Sequence, residues 1–133
     1  GMALRPFAAH PKYSQLEAVT TAARRLKSRF FQSDKYNDRK AREYWLKFQY
    51  PFWWTNLLTG LDTLSLLGFG PSDEDVQRAL QWFAENQQSD GLWLTSYELS
   101  RRTRPSAKER EAMLWVSLAT CRVFMRFSTS QPH

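Results

Sequence analysis

Arg-Ala-Leu-Gln-Trp-Phe-Ala-Glu-Asn-Gln-Gln-Ser-Asp-Gly-Leu-Trp, residues 78–93, is the stretch that decides the fold. With Val76 just ahead of it, Ala79, Leu80 and Phe83 recur at i, i+3, i+4 and i+7, the single apolar stripe of an amphipathic helix. Gln87 and Gln88 close that helix, where the last backbone carbonyls lack intrahelical donors and a side-chain amide can both donate and accept. Gly91 admits a positive φ, so the chain can reverse and lay Trp93 back on the helix end. The stretch reads as a helix whose exit is stapled.

Upstream, Gly68-Phe69-Gly70-Pro71 stops the chain, and Ser72 or Asp73 caps the new helix. Asp73-Glu74-Asp75 puts negative charge in its first turn, where the helix dipole favours it. Gln77, Arg78, Gln81 and Glu85 make a wet face, so this helix is an outer one. The stretch from Phe52 to Gly68 predicts a second helix, with Trp53, Trp54, Leu57, Leu58, Leu61 and Leu64 on a broad apolar face. Opposite lie Thr55, Asn56, Thr59, Asp62 and Thr63, without the Lys, Arg or Glu of an ordinary surface helix. Such a face fits either a confined, partly hydrated space or another protein layer.

The flanks follow the same logic. Tyr13 to Gln32 predicts a first helix striped by Leu16, Val19, Ala23, Leu26 and Phe30. Arg24, Arg25, Lys27 and Arg29 crowd its second half, where cations suit the dipole; a solvated face is the plain reading and an anion- or nucleic-acid-binding surface the alternative. Residues 33–40 read as a loop, and Arg42 to Tyr50 as a short helix stopped by Pro51. Beyond Trp93, an arginine-rich connector runs to Pro105, and Ser106 with Glu109 forms a capping box for the last helix. Ala112 to Cys121 carries no charge, which predicts a well-buried inner helix with Cys121 as a small core residue. The sequence of inner, outer and inner helices suits a two-layer all-α domain.

Ala79, Trp82, Phe83, Gln87, Gly91 and Trp93 together resemble the QW motif of the family that contains squalene and other terpene cyclases and the β-subunits of protein prenyltransferases. Tyr50-Pro51-Phe52, Leu58, Leu61-Asp62, Leu64 and Leu67-Gly68 resemble the same repeat, as does Ala112 to Phe127, so the resemblance spans residues 40–127. It implies an all-α fold of helical hairpins in two layers, a partial α/α toroid of about four to five helices where the family's closed ring has about a dozen. Such a chain cannot close the ring alone, and the motif speaks for fold more than for activity.

At 133 residues the chain is one domain, large enough to bury a core without disulfides. The division expected is an irregular arm over 1–12, with Gly1-Met2 a cloning remnant, a single helical domain over 13–127, and a disordered tail over 128–133. One cysteine excludes an internal disulfide framework and agrees with a cytoplasmic setting. No run reaches transmembrane length. The net charge of +6 is spread along the chain, and no groove-reading helix or basic–aromatic interleaving accompanies it, so nucleic acid is not an expected partner.

Chemistry is sparse. The resemblance raises zinc held by Asp, Cys and His, but the histidines are His10 and His133, in the arm and the tail. Asp73-Glu74-Asp75 lacks the D-x-D-D pattern of the protonating cyclases and starts an exposed helix. Asp62 is the one acid on an otherwise small-polar face; a hydrogen-bonded structural aspartate is its alternative. Arg101, Arg102, Arg104, Lys108 and Arg110 could meet a diphosphate or an anionic lipid, or form a solvated loop. No catalytic set, metal site or cofactor is called for.

The candidate ligand-binding residues are therefore Tyr50, Trp53, Trp54, Thr59 and Asp62, with Gln87, Gly91 and Trp93 as the structural motif. The expected function is binding of an isoprenoid-like or other apolar ligand without self-sufficient catalysis. The alternatives are a structural or docking module completed by a partner subunit, and a segment of a larger terpene cyclase or prenyltransferase. An incomplete ring should also leave an apolar flank, so a homo-oligomer is expected, through the aromatic stretch Trp45 to Trp54 or the last helix.

Overall fold

The computed structural model describes residues 2–33, 41–52, 54–97 and 104–129. Its centre is α3 (Leu57–Leu66), which buries Leu57, Leu58, Leu61 and Leu64 on one side and Thr59 and Thr63 on the other. With both sides covered, this helix carries no Lys, Arg or Glu, as suits a central helix. It begins at Leu57 rather than near Phe52 because Asn56 caps it: the Thr59 amide donates to Asn56 Oδ1 at 3.0 Å, and the Asn56 amide donates to Thr59 Oγ1 at 2.9 Å.

Four helices surround it: α1 (Leu4–Ala9), α2 (Glu17–Ser28), α4 (Glu74–Glu85) and α5 (Ala107–Thr129), with a 3-10 turn at Arg42–Leu46. Each of the four packs on α3. No strand occurs among the described residues; Lys47 and Ser96 form a lone antiparallel bridge that ties the 3-10 turn to the segment after Trp93. The fold is all-α.

The outer helices bury one stripe each, Val19, Ala23 and Leu26 from α2 and Val76, Ala79 and Phe83 from α4. Phe30, Phe48 and Phe83 are fully buried and fill the space between them and α3. Gly60 lets α2's exit approach closely, because a Cβ there would lie 2.7 Å from Phe30 Cε1. Trp45 stands edge-on to Phe30 at 5.5 Å and donates its indole N–H to the Gln32 carbonyl. Asp73 caps α4, accepting from the amides of Asp75 and Val76, and the Ser106–Glu109 capping box starts α5 as its sequence predicts.

Three expectations are corrected. The arm over 1–12 contains α1, with Leu4 and Ala8 buried; Pro6 is tolerated because first-turn amides have no intrahelical acceptor to lose. The helix expected from Arg42 to Tyr50 is a single 3-10 turn. The last helix is not buried all round: Met113, Val116, Ser117, Thr120, Val123 and Phe127 face inward, whereas Leu114, Trp115, Leu118, Cys121 and Met125 are exposed. One helix at the rim of so small a domain can be covered on one side only. It also continues through Ser128 and Thr129, past the expected start of the tail, whose residues 130–133 lie outside the described ones.

Candidate functional site

The stapled exit has the anticipated geometry. Gly91 sits at φ +84°, and the Gln87 side-chain amide donates to the Gly91 carbonyl at 2.8 Å. Trp93 is 4% exposed; its indole N–H donates at 2.7 Å to the Phe83 carbonyl at the end of α4, which otherwise has only the long 3.3 Å bond from the Asn86 amide. Its own amide donates to Ser117 Oγ of α5 at 2.9 Å. One residue therefore joins the end of α4 to the middle of α5. Gln87 lies on the surface, so the two halves of the motif carry unequal weight.

The small-polar face of α3 is not open surface. Asn56, Thr59 and Thr63 are buried, and each is engaged: Asn56 and Thr59 in the cap, Thr63 donating to the Thr59 carbonyl at 2.8 Å. The amide of Met2 donates to Thr55 Oγ1 at 2.9 Å, so α1 and the residues leading into it lie against this face. The start of α3 is closed by its own cap and offers no free anion site. What remains is a small cleft of about 60 Å³ lined by Thr59, Asp62, Arg5, Phe52, Arg122 and Val123, among others. A cleft of this size takes water but no long hydrocarbon chain.

Asp62 organises that cleft. Its Oδ1 accepts from Arg126 of α5, and Arg5 Nη2 of α1 lies 2.8 Å from Oδ2. The carboxylate thus joins three helices, and with 14% side-chain exposure it is a half-shielded structural ion-pair centre. Arg5 was hidden from sequence reasoning because its helix was.

The other candidates do not converge there. Tyr50 stacks on Trp115 of α5, 5.1 Å between centroids and 9° between planes. Trp54 is half-buried, and its Nε1 is buried without a hydrogen-bond partner. Trp53 lies outside the described residues, as do Arg101 and Arg102. Of the remaining connector cations, Arg110 pairs with Asp90 at 3.1 Å, and Arg104 and Lys108 are exposed.

Two features escaped sequence reasoning. Lys27, assigned to a solvated run, reaches Asp75 at 3.0 Å and Asp73 at 3.1 Å and so ties α2 to the start of α4. The hydrogen bond to Asp75 is the main reason its ammonium is held above the usual lysine pKa, with Asp73 adding to it and burial opposing. Elsewhere, between the exit of α2 and α4, an open cleft of about 350 Å³ is walled by Phe31 and Trp82 and rimmed by Arg42, Arg78, Gln81 and Glu85. Phe31 there has φ +63°; Arg42 Nε donates to its carbonyl, and Arg78 sits over its ring.

No group of three or more His, Cys, Asp or Glu side chains stands ready for a metal among the described residues. No helix among them is long and apolar enough to cross a membrane. Compared with protein-family models, curated proteins and solved structures, the chain matches none.

Proposed function

We propose that this chain is a non-catalytic docking module, built from QW-type helical hairpins of a partial α/α toroid and completed by a partner at its surface. The observation that carries this reading is the outer face of α5: Leu114, Trp115, Leu118 and Met125 are 52, 42, 51 and 65% exposed on one helix. Contiguous apolar patches of that kind mark interaction sites on soluble proteins. The face proposed for an isoprenoid, by contrast, is occupied by α1 and by hydrogen bonds within α3 itself. Its cleft of about 60 Å³ is far below the roughly 300–1,000 Å³ of small-molecule pockets. The larger cleft has the required volume but a charged rim, poorly matched to a hydrocarbon. The module is proposed to act in the cytoplasm, where the exposed thiol of Cys121 stays reduced.

Tryptophan fluorescence titrated with farnesyl diphosphate tests the reading. No saturable change is expected. Saturable quenching that disappears in Trp54→Ala would replace docking with isoprenoid binding as the function.

A further inference from the structure

We propose that the outer face of α5 is a two-fold interface, on which α5 of a second copy of this chain packs antiparallel. The proposal rests on the docking reading above and names its partner. Leu114, Leu118, Cys121 and Met125 follow one another at intervals of four, three and four residues. That is the spacing of a two-helix seam, in which apolar positions recur every 3.5 residues on average. All four are exposed on a helix that already buries its opposite face, so the seam is not a second reading of the core stripe.

Area is sufficient for a pair. The four seam residues with Trp115 and Tyr50 present on the order of 500 Å² of apolar surface, at the upper end for a typical monomer's largest patch. A two-fold arrangement covers it twice, about 1,000 Å², the threshold for a specific interface. Trp115 is a pre-set anchor, its ring held by the stack on Tyr50 at 5.1 Å, so little side-chain freedom is lost on association.

The antiparallel direction follows from what faces what. It sets Leu114 against the partner's Met125 and Leu118 against the partner's Cys121, each bulky group meeting a smaller or more adaptable one. On the flank of the seam, Trp115 then stands opposite the partner's Arg122, and symmetry repeats the pair. A guanidinium over an indole face is favourable. A parallel pairing would put the flanks that carry Trp115 and Arg122 on opposite sides of the seam and lose both contacts. Glu111, one turn before Leu114, comes to the end of the partner helix that carries Arg122 and Arg126.

Sedimentation equilibrium of the parent chain should give twice the mass of one chain. Leu118→Asp, at a half-exposed position that the fold tolerates, should raise the dissociation constant about a hundredfold or more while leaving the helical circular dichroism unchanged. Under mild oxidation Leu118→Cys should form a covalent dimer with the partner's Cys121, and adding Cys121→Ser should abolish it. A monomeric parent overturns the proposal, as does a dimer indifferent to Leu118→Asp. Cross-linking that survives Cys121→Ser overturns the antiparallel register. Parent chain that stays monomeric but co-sediments with phosphatidylserine vesicles assigns the face to lipid and overturns the second copy. The farnesyl diphosphate titration, run on Leu118→Asp, reads the docking proposal independently of self-association.

Discussion

Replacing Trp93 by Phe separates the two things its indole does. The ring packs near Phe83 at 6.5 Å and lies along Phe124 at 6.4 Å, and the N–H is the donor to the buried end of α4. Phenylalanine keeps most of the first and none of the second. The Phe83 carbonyl keeps the Asn86 amide as a donor at 3.3 Å, so what is lost is the net worth of one hydrogen bond, about 0.5–1.5 kcal/mol. The indole's extra ring atoms add a cavity term of about 1 kcal/mol. Trp93→Phe should therefore lose about 1.5–2.5 kcal/mol, against about 3–5 kcal/mol or more for Trp93→Ala. Domains of this size are stable by about 5–15 kcal/mol, so the phenylalanine variant still folds and its loss can be measured. Gln87→Ala, which breaks a surface hydrogen bond, should cost no more than about 1 kcal/mol. Urea unfolding followed by circular dichroism at 222 nm reads all three without relying on tryptophan emission. If Trp93→Phe unfolds within about 0.5 kcal/mol of the parent, or if Gln87→Ala costs as much as Trp93→Phe, the unequal staple is wrong.

Gly60→Ala should lose about 1–3 kcal/mol through the 2.7 Å approach to Phe30, and Phe30→Leu in the same chain should recover part of it; thermal melts of the single and double variants check both. Lys27 has a folded-state pKa above its unfolded one, so its stabilising effect is complete below the unfolded value of about 10.4 and is lost as pH rises through the folded one. The stability difference between the parent and Lys27→Gln should therefore be constant at neutral pH and shrink in the alkaline range; a difference that grows there would refute the ion-pair assignment. Asp62→Asn should loosen α1 and α5 together, seen as faster amide exchange at Leu4–Ala9 and around Arg126, and unchanged exchange at α1 would show that its docking does not depend on the carboxylate.

Elements marked by local chemistry were legible in the sequence. Asp73 and Ser106 start helices by capping, Gly91 turns the chain, and the stripes of Val19-Ala23-Leu26 and Val76-Ala79-Phe83 show which faces go inward. Whatever depended on distant partners was not legible. A charge-free run such as Ala112 to Cys121 says that a helix tolerates burial, not that enough protein exists to cover it, and Cys121 came out exposed. The small-polar face of α3 was correctly read as sheltered, but its occupant, α1, was concealed by two prolines that suggested an irregular arm. Lys27 looked like its cationic neighbours because its partners stand 46 and 48 positions further along the chain.

The three-way junction at Asp62 has a consequence for chain geometry. Arg5 belongs to the first helix and Arg126 to the last, yet both reach the same carboxylate. The first and last helices therefore meet at one corner of the molecule. A unit with adjacent entry and exit can be spliced into a surface loop of a host protein, or have its ends joined and be reopened elsewhere, with little loop-closure entropy. The Gly70-Pro71 turn between α3 and α4 is the natural place to reopen it.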